Sequence, residues 1–290
     1  MARSAGAGRS GSRISAVRRR ALVAGLALLA VAAARQAPAQ TGELVATDAL
    51  RICADPSNLP FSNEKGEGFE NRIASLLGRA LDRPVEYVFF PQVQGFVRNT
   101  LRAGRCDLVM GAVAGDDLLQ NTNPYYHTTY VLAFRRGGAE PPPERLDDPR
   151  MRKLRLGAVA RTPPVDLLAR HGLVENTRFY RLAVDTRIEA PGADLVRAVA
   201  DGELDAALVW GPIAGYQAKA KNLPIELRPL PSEPGAARMD FRITMGVRGQ
   251  EPEWRRRINA VIRDKQGEID GILREYGVPM LDEQGRLRHP

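Results

Sequence analysis

Residues 53–78 read CADPSNLPFSNEKGEGFENRIASLLG. A short apolar strand, LRICA (50–54), runs into a loop carrying Asp55, two prolines, two asparagines and a lone Phe61, and the loop then opens a helix. In GFENRIASLLGRAL (68–81), Phe69, Ile73, Leu76, Leu77, Ala80 and Leu81 recur at helical spacing on one face. Open α/β sheets bind ligands beyond the carboxyl ends of their strands, where rigid polar loops sit. The stretch therefore predicts a strand–helix unit with something held at its turn.

The same alternation continues outward. VEYVFF (85–90) reads as strand, GFVRNTLRAG (95–104) as helix and CDLVMG (106–111) as strand, a βαβαβ pattern that calls for a parallel sheet flanked by helices. After YVLAFRR (130–136), the segment GGAEPPPERLDDPRM is rich in Pro, Gly and charge and reads as a crossing between lobes. A second alternation follows: strands KLRLGAVA, RFYRLAV, DAALVW and IELRPL, with helices PPVDLLARHG, ADLVRAVADG and PIAGYQAKA between them. A second break, PSEPGAARMD (231–240), precedes a last strand FRITMGVR and a long amphipathic helix. That helix carries Trp254, Ile258, Val261, Ile262, Ile269, Ile272, Leu273 and Tyr276 on its apolar stripe, with Pro252 in its first turn and Gly277 past its end. Two α/β lobes joined by two hinge crossings, each lobe a mainly parallel sheet flanked by helices, is the expected architecture. Their facing strand ends form a cleft able to close on a ligand.

Residues 1–39 are not part of that fold. A basic segment with Arg18, Arg19 and Arg20 precedes the apolar run ALVAGLALLAVAA and the small-residue site Ala37-Pro38-Ala39, the order of a secretory signal peptide. The run is too short to span a bilayer core of roughly 30 Å, so no membrane insertion is expected after cleavage, and the export route stays open. The whole chain has 42 Lys+Arg against 34 Asp+Glu. The leader holds seven of the arginines and no acid, so the remainder is close to neutral (42 − 7 = 35 against 34). Nucleic acid as a partner thereby loses its electrostatic basis. Cys53 and Cys106 would meet a compartment that permits disulfides. They fall on neighbouring strands of a 2-1-3 winding, and either a bridge or two buried thiols fits that placement. His127, His171 and His289 are scattered without metal-ligand spacing, so no metal and no cofactor is expected.

The strand ends nominate residues for the cleft. Asp55 and Asn58 either bond a ligand or cap their own loop. Phe61 and Trp210 would face the cleft from opposite lobes, to stack on a flat or apolar ligand or simply to fill their lobes. Gly111 follows the third strand. Of Tyr125 and Tyr126, one could line the mouth while the other packs inward. Thr162, before Pro163-Pro164, reads as a helix N-cap beside Arg161, a place for an anion or a structural cap alone. Asp185 and Arg187 close a strand of the second lobe. Glu70 opens a helix, where a carboxylate suits the dipole, and is read as structural.

At GFENRIASLLGRAL, AGRCDLVMG, NPYYHTTYVLAFR and ADGELDAALVWGPIAGY the chain resembles type II periplasmic solute-binding proteins. The resemblance returns the last strand and helix to the first lobe, giving lobe 1 as 44–136 plus 237–290 and lobe 2 as 147–233. More narrowly, CADPSNLPFSNEKGEGFENRIA, GFVRNTLRAGRCDLVMG, ALVWGPIAGY and ILREYGVPML resemble the quinoprotein dehydrogenase-associated, MoxJ/XoxJ-type members found with methanol dehydrogenases. Amino-acid binders of the wider family usually place an Arg in the turn after the third strand and an Asp after the last strand of lobe two. Here those places hold Ala114-Gly115-Asp116-Asp117-Leu118-Leu119 and Trp210-Gly211-Pro212. Both halves of a zwitterion clamp are missing, and burying an unpaired ammonium or carboxylate is costly.

The resemblance implies a periplasmic accessory protein of a PQQ-dependent methanol or alcohol dehydrogenase system. Its expected partner is that dehydrogenase, with or without its cytochrome, and a small-molecule ligand is a further possibility. The alternative is an ABC transporter substrate-binding protein for a small non-amino-acid organic solute. An enzyme is not expected: no His sits near a nucleophile, AVAGDD is no nucleophile elbow, and the acid pairs Asp116-Asp117 and Asp147-Asp148 are adjacent in the chain, where their side chains diverge.

Overall fold

Apolar alternation sets the first strand, and the loop chemistry behind it sets the first helix. The computed structural model describes residues 44–138 and 141–288, so the expected leader lies outside the described residues. In chain order the elements are β1 (Leu50–Ala54), β2 (Ser57–Asn58), β3 (Ser62–Asn63), α1 (Phe69–Leu81), β4 (Val85–Phe89), α2 (Phe96–Asn99), β5 (Leu108–Val113), β6 (Gln120–Asn121) and β7 (Tyr126–Arg135). They continue with β8 (Leu156–Val159), α3 (Pro164–Arg170), β9 (Thr177–Tyr180), α4 (Pro191–Ala200), β10 (Ala206–Trp210), α5 (Gly211–Lys219), β11 (Ile225–Pro229), β12 (Asp240–Val247) and α6 (Pro252–Glu275). Among the described residues, no helix is long and apolar enough to cross a membrane.

The winding expected of the first unit forms: β1 pairs in parallel with β4 on one side and β5 on the other. In the second half β8 pairs in parallel with β9 and β10. Between these parallel groups run two antiparallel strands, β12 and β7, so one mixed sheet follows the order β4-β1-β5-β12-β7-β10-β8-β9. β7 is shared. Its Tyr126–Thr129 pair with β12, and its remainder pairs with β10 and β11.

Each half buries its sheet on both faces. On one face of the first half, Leu50, Ile52, Phe69, Ile73 and Leu77 pack with Trp254, Ile258, Ile262, Ile269 and Leu273 of α6. The other face holds Cys53, Phe96, Leu101, Cys106 and Val109. The second half repeats the pattern, with Leu132, Leu156, Leu167 and Leu208 on one face and Val131, Leu195, Val199 and Val209 on the other. At roughly 25 cal/mol per Å² of apolar surface removed from water, this two-sided burial is the main force holding each half.

Asp107, fully buried, ties the first half together. Its carboxylate accepts from Arg51 Nε and Nη2 (both 2.7 Å) and Arg248 Nη2 (2.6 Å), and its carbonyl accepts from Trp254 Nε1 (3.0 Å). Those guanidinium hydrogen bonds hold the carboxyl below its ordinary range although burial opposes them.

Two expected elements shrink. The helix over 95–104 keeps one turn, because Thr100 leaves helical backbone and its hydroxyl donates back to the Phe96 carbonyl (2.7 Å). The strand over 178–184 ends at Tyr180, since β9 is an edge strand paired to β8 alone, and the chain beyond it leaves the sheet to run along the cleft.

Of the two placements open for the cysteines, the bridge forms: Cys53 and Cys106 are bonded, with Cα atoms 5.5 Å apart and a sequence separation of 53. Closing a loop of that length should contribute about 4 kcal/mol to stability. Denaturant unfolding with and without reductant measures this; the reduced protein should lose about that amount, and coincident transitions would refute it.

Candidate functional site

The strand ends of the two halves face a cleft of about 780 Å³. One wall comes from the first half: Asn58 and Phe61 from the loop after β1, Glu70 from α1, Gly111 from β5 and Tyr126 from β7. The opposing wall has Thr162 and Pro163, Leu182, Val184, Thr186, Glu189 to Ala193, Trp210, Ile213 and Tyr216. Tyr130 and Phe241, at the strands shared between halves, form the floor side with Trp210. Their ring centroids stand 4.9 Å (Tyr130–Trp210), 5.8 Å (Trp210–Phe241) and 6.2 Å (Tyr130–Phe241) apart, in tilted and edge-on pairs. Phe61 packs edge-on against Phe69, which in turn meets Tyr126. The cleft is thus aromatic on both sides.

The residues nominated from sequence divide. Asn58, Phe61, Gly111, Thr162 and Trp210 reach the wall, while Asp55, Tyr125, Arg161 and Asp185 stand off it, each for a local reason. Asp55 is buried behind the loop, where its carboxyl accepts from the Ser57 and Gln92 amides (2.8 and 2.6 Å). It also accepts from the Thr186 hydroxyl of the other half (2.8 and 3.0 Å), so Asp55 links the halves. Tyr125 packs inward and donates to the Met110 carbonyl (3.0 Å), leaving Tyr126 to line the cleft. Arg161 is exposed at a left-handed backbone position (φ +63°). Asp185 is consumed by Arg187, whose guanidinium and amide hold it down at about 2. Thr162 does not cap α3: its hydroxyl donates to the Val159 carbonyl (2.6 Å), and Pro163 occupies the cap position.

Cations on the opposing wall are engaged. Arg181 pairs with Glu189 (2.5 Å), Arg197 pairs with Asp194, and Lys221 lies 5.4 Å from the centre of the Tyr216 ring.

Glu70 is the residue that sequence reasoning assigned to the helix dipole alone. Asn71 already serves the helix start, its side-chain oxygen accepting from the Gly68 and Asn63 amides (3.0 and 3.1 Å). Glu70 instead sits 92% out of solvent on the cleft wall, and among the described residues no hydrogen bond or ion pair reaches its carboxyl oxygens. The one sequence signal was its neighbour: a Cβ on Gly111 would stand 2.5 Å from Glu70 Oε1, so a side chain there would make the carboxyl turn aside. Burial, with a smaller push from Asp55, raises Glu70 to about 8 from its ordinary 4.5.

No protein-family model matches the chain. Protein MoxJ of Methylorubrum extorquens is 28% identical over 286 residues, 90% of this chain and 94% of that protein. The crystal structure of the periplasmic binding protein XoxJ from Methylobacterium extorquens AM1 is 39% identical over 81% of this chain and 100% of that one, with a TM-score of 0.68. The crystal structure of MxaJ from Methlophaga aminisulfidivorans MPT shares the fold at a TM-score of 0.70 and 24% identity, covering 80% of this chain and 100% of that one.

Because Glu70 keeps a proton in the folded chain that the unfolded chain gives up, stability should decline as pH rises from about 4.5 to about 8, by about 1.4 kcal/mol per pH unit, and then level off. Glu70→Gln removes that component. Melting curves across this range should show the variant matching wild type at the acid end and exceeding it at the alkaline end. Parallel pH profiles would refute the assignment.

Proposed function

Since the chain belongs to the family of the periplasmic binding protein XoxJ, we propose that it is exported to the periplasm and acts there as an accessory protein of a PQQ-dependent methanol or alcohol dehydrogenase, binding the dehydrogenase or aiding its maturation. Its two half-sheets act as lobes, and the cleft between them takes a segment of the dehydrogenase or a small molecule used in its maturation. Binding, not catalysis, is the activity.

The observation that carries this reading is the character of the cleft. The turn after β5 offers no guanidinium for a carboxylate, and the turn after β10 offers Trp210, Gly211 and Pro212 where an ammonium partner would stand. With the lobe-two cations paired or stacked, what remains for recognition beside Glu70 is largely apolar and aromatic, the surface chemistry of protein interface cores. The reading as an ABC transporter substrate-binding protein for a small non-amino-acid organic solute draws on the volume of the cleft, which falls within the range of small-molecule sites.

Affinity capture tests the choice. The mature protein, used as bait in periplasmic extract of its native host, should retain a dehydrogenase identified by mass spectrometry and by PQQ-dependent alcohol oxidation in the eluate. Absence of the dehydrogenase, together with a strong thermal shift by one small solute, would overturn the accessory role in favour of transport.

A further inference from the structure

We propose that Glu70 is the centre of a cation subsite in the cleft, built for a small organic ammonium ion whose carbon body lies against the aromatic wall. The proposal rests on the cleft being a ligand site, the part of the functional reading that does not involve the dehydrogenase.

Three observations meet at Glu70. The residue is 92% out of solvent, and its carboxyl has no partner among the described residues and lies on the wall of the cleft. A largely buried polar group without a protein partner is costly, and such a group in a folded protein calls for an explanation in strain, in chemistry or in what it binds. Space has been kept for it, since any side chain at position 111 would push the carboxyl aside. The surrounding wall carries Phe61, Tyr126, Tyr130, Trp210 and Phe241, and ring faces attract cations.

The chemistry selects among occupants. An anion would face the Glu70 carboxyl without a free cation beside it. A metal ion needs several oxygen, nitrogen or sulfur ligands, and no cluster of three or more metal-ligating side chains exists among the described residues. An organic ammonium needs one counter-charge and an aromatic enclosure, and the cleft has both.

Proton linkage follows. The groups facing Glu70 are Asp55 from the loop after β1, Tyr87 from β4, Tyr125 just before β7 and Tyr126 at its start, while Gly111 of β5 adds none. Burial pushes the three tyrosines upward, so they stay neutral through the range in which Glu70 titrates. A cation favours the ionised carboxyl, and its binding must therefore expel the Glu70 proton below about pH 8.

Isothermal titration calorimetry with benzyltrimethylammonium, whose charge does not change with pH, tests this on the mature protein. Benzyl alcohol and benzoate serve as the neutral and anionic controls. The cation should bind at least about tenfold more tightly than either control, and its affinity should rise about tenfold per pH unit from about pH 6 and level off near pH 8. Glu70→Gln should lose about tenfold or more of cation affinity at the plateau and the pH slope with it. Gly111→Ala, which leaves the charge in place but displaces the carboxyl, should also weaken the cation. Equal binding of benzyl alcohol, a flat or falling pH profile, or unaltered cation binding by folded Glu70→Gln would overturn the subsite. No dehydrogenase enters this experiment, so its failure leaves the accessory role to the capture test, and failure of the capture test leaves the subsite standing.

Discussion

Everything about the cleft depends on the sharing of β7 between two halves. A ten-residue strand cannot end in one sheet and begin in another without keeping its backbone hydrogen bonds satisfied through the change, because buried N–H and C=O groups without partners are costly. β7 meets this by exchanging partners near its middle, with Thr129 still opposite Asp240 of β12 and Tyr130 already opposite Trp210 of β10. The side chains at the exchange point have no third sheet to cover them. Tyr130, Trp210 and Phe241 therefore cover one another, and their half-exposed faces become the aromatic side of the cleft. The aromatic side of the cleft is a consequence of how the sheet passes from one half to the other.

Much of this was readable from residue order. The βαβαβ pattern of the first half needs only apolar runs of strand length alternating with a 3.6-residue stripe, and both are strong signals. What could not be read was the direction of the shared strands. YVLAFRR and FRITMGVR look like any other strand, and nothing local distinguishes a parallel neighbour from an antiparallel one. The two helical and strand overestimates share one cause. Thr100 and the residues after Tyr180 have acceptable local propensity, but tertiary context gave them other hydrogen bonds or none.

The site was half legible, for a reason visible in Asp55 and Glu70. Both are acids near the first strand end, and the sequence left Asp55 open between ligand and loop cap while giving Glu70 to the helix. Partners decide: Asp55 finds two amides and a hydroxyl, and the Glu70 carboxyl finds none among the described residues, Asn71 having taken the capping role. Which of two neighbouring carboxyls is left over depends on a competition among hydrogen-bond donors, and those donors come from residues 57, 92 and 186.

The motifs that carried the family resemblance have a physical meaning in this arrangement. WGPIAGY (210–216) lies at the start of α5 in the second half, and ILREYGVPML (272–281) closes α6 behind the first. They meet. A Cβ on Gly215 would fall 1.9 Å from the Gly277 carbonyl oxygen, and the Tyr216 and Tyr276 rings stack 5.8 Å apart. Lys219 adds a hydrogen bond to the Arg274 carbonyl (2.7 Å). On the far side of the cleft the halves are linked instead by Asp55 and Thr186. The first contact is backbone against backbone and leaves no room for a side chain, so it can serve as a fixed pivot. The second is a single hydroxyl on a carboxyl, which water can replace at little net cost. A backbone contact without room for a side chain and a single hydroxyl–carboxyl hydrogen bond thus join the two halves, and the Glu70 carboxyl lies on the wall of the cleft that they bound.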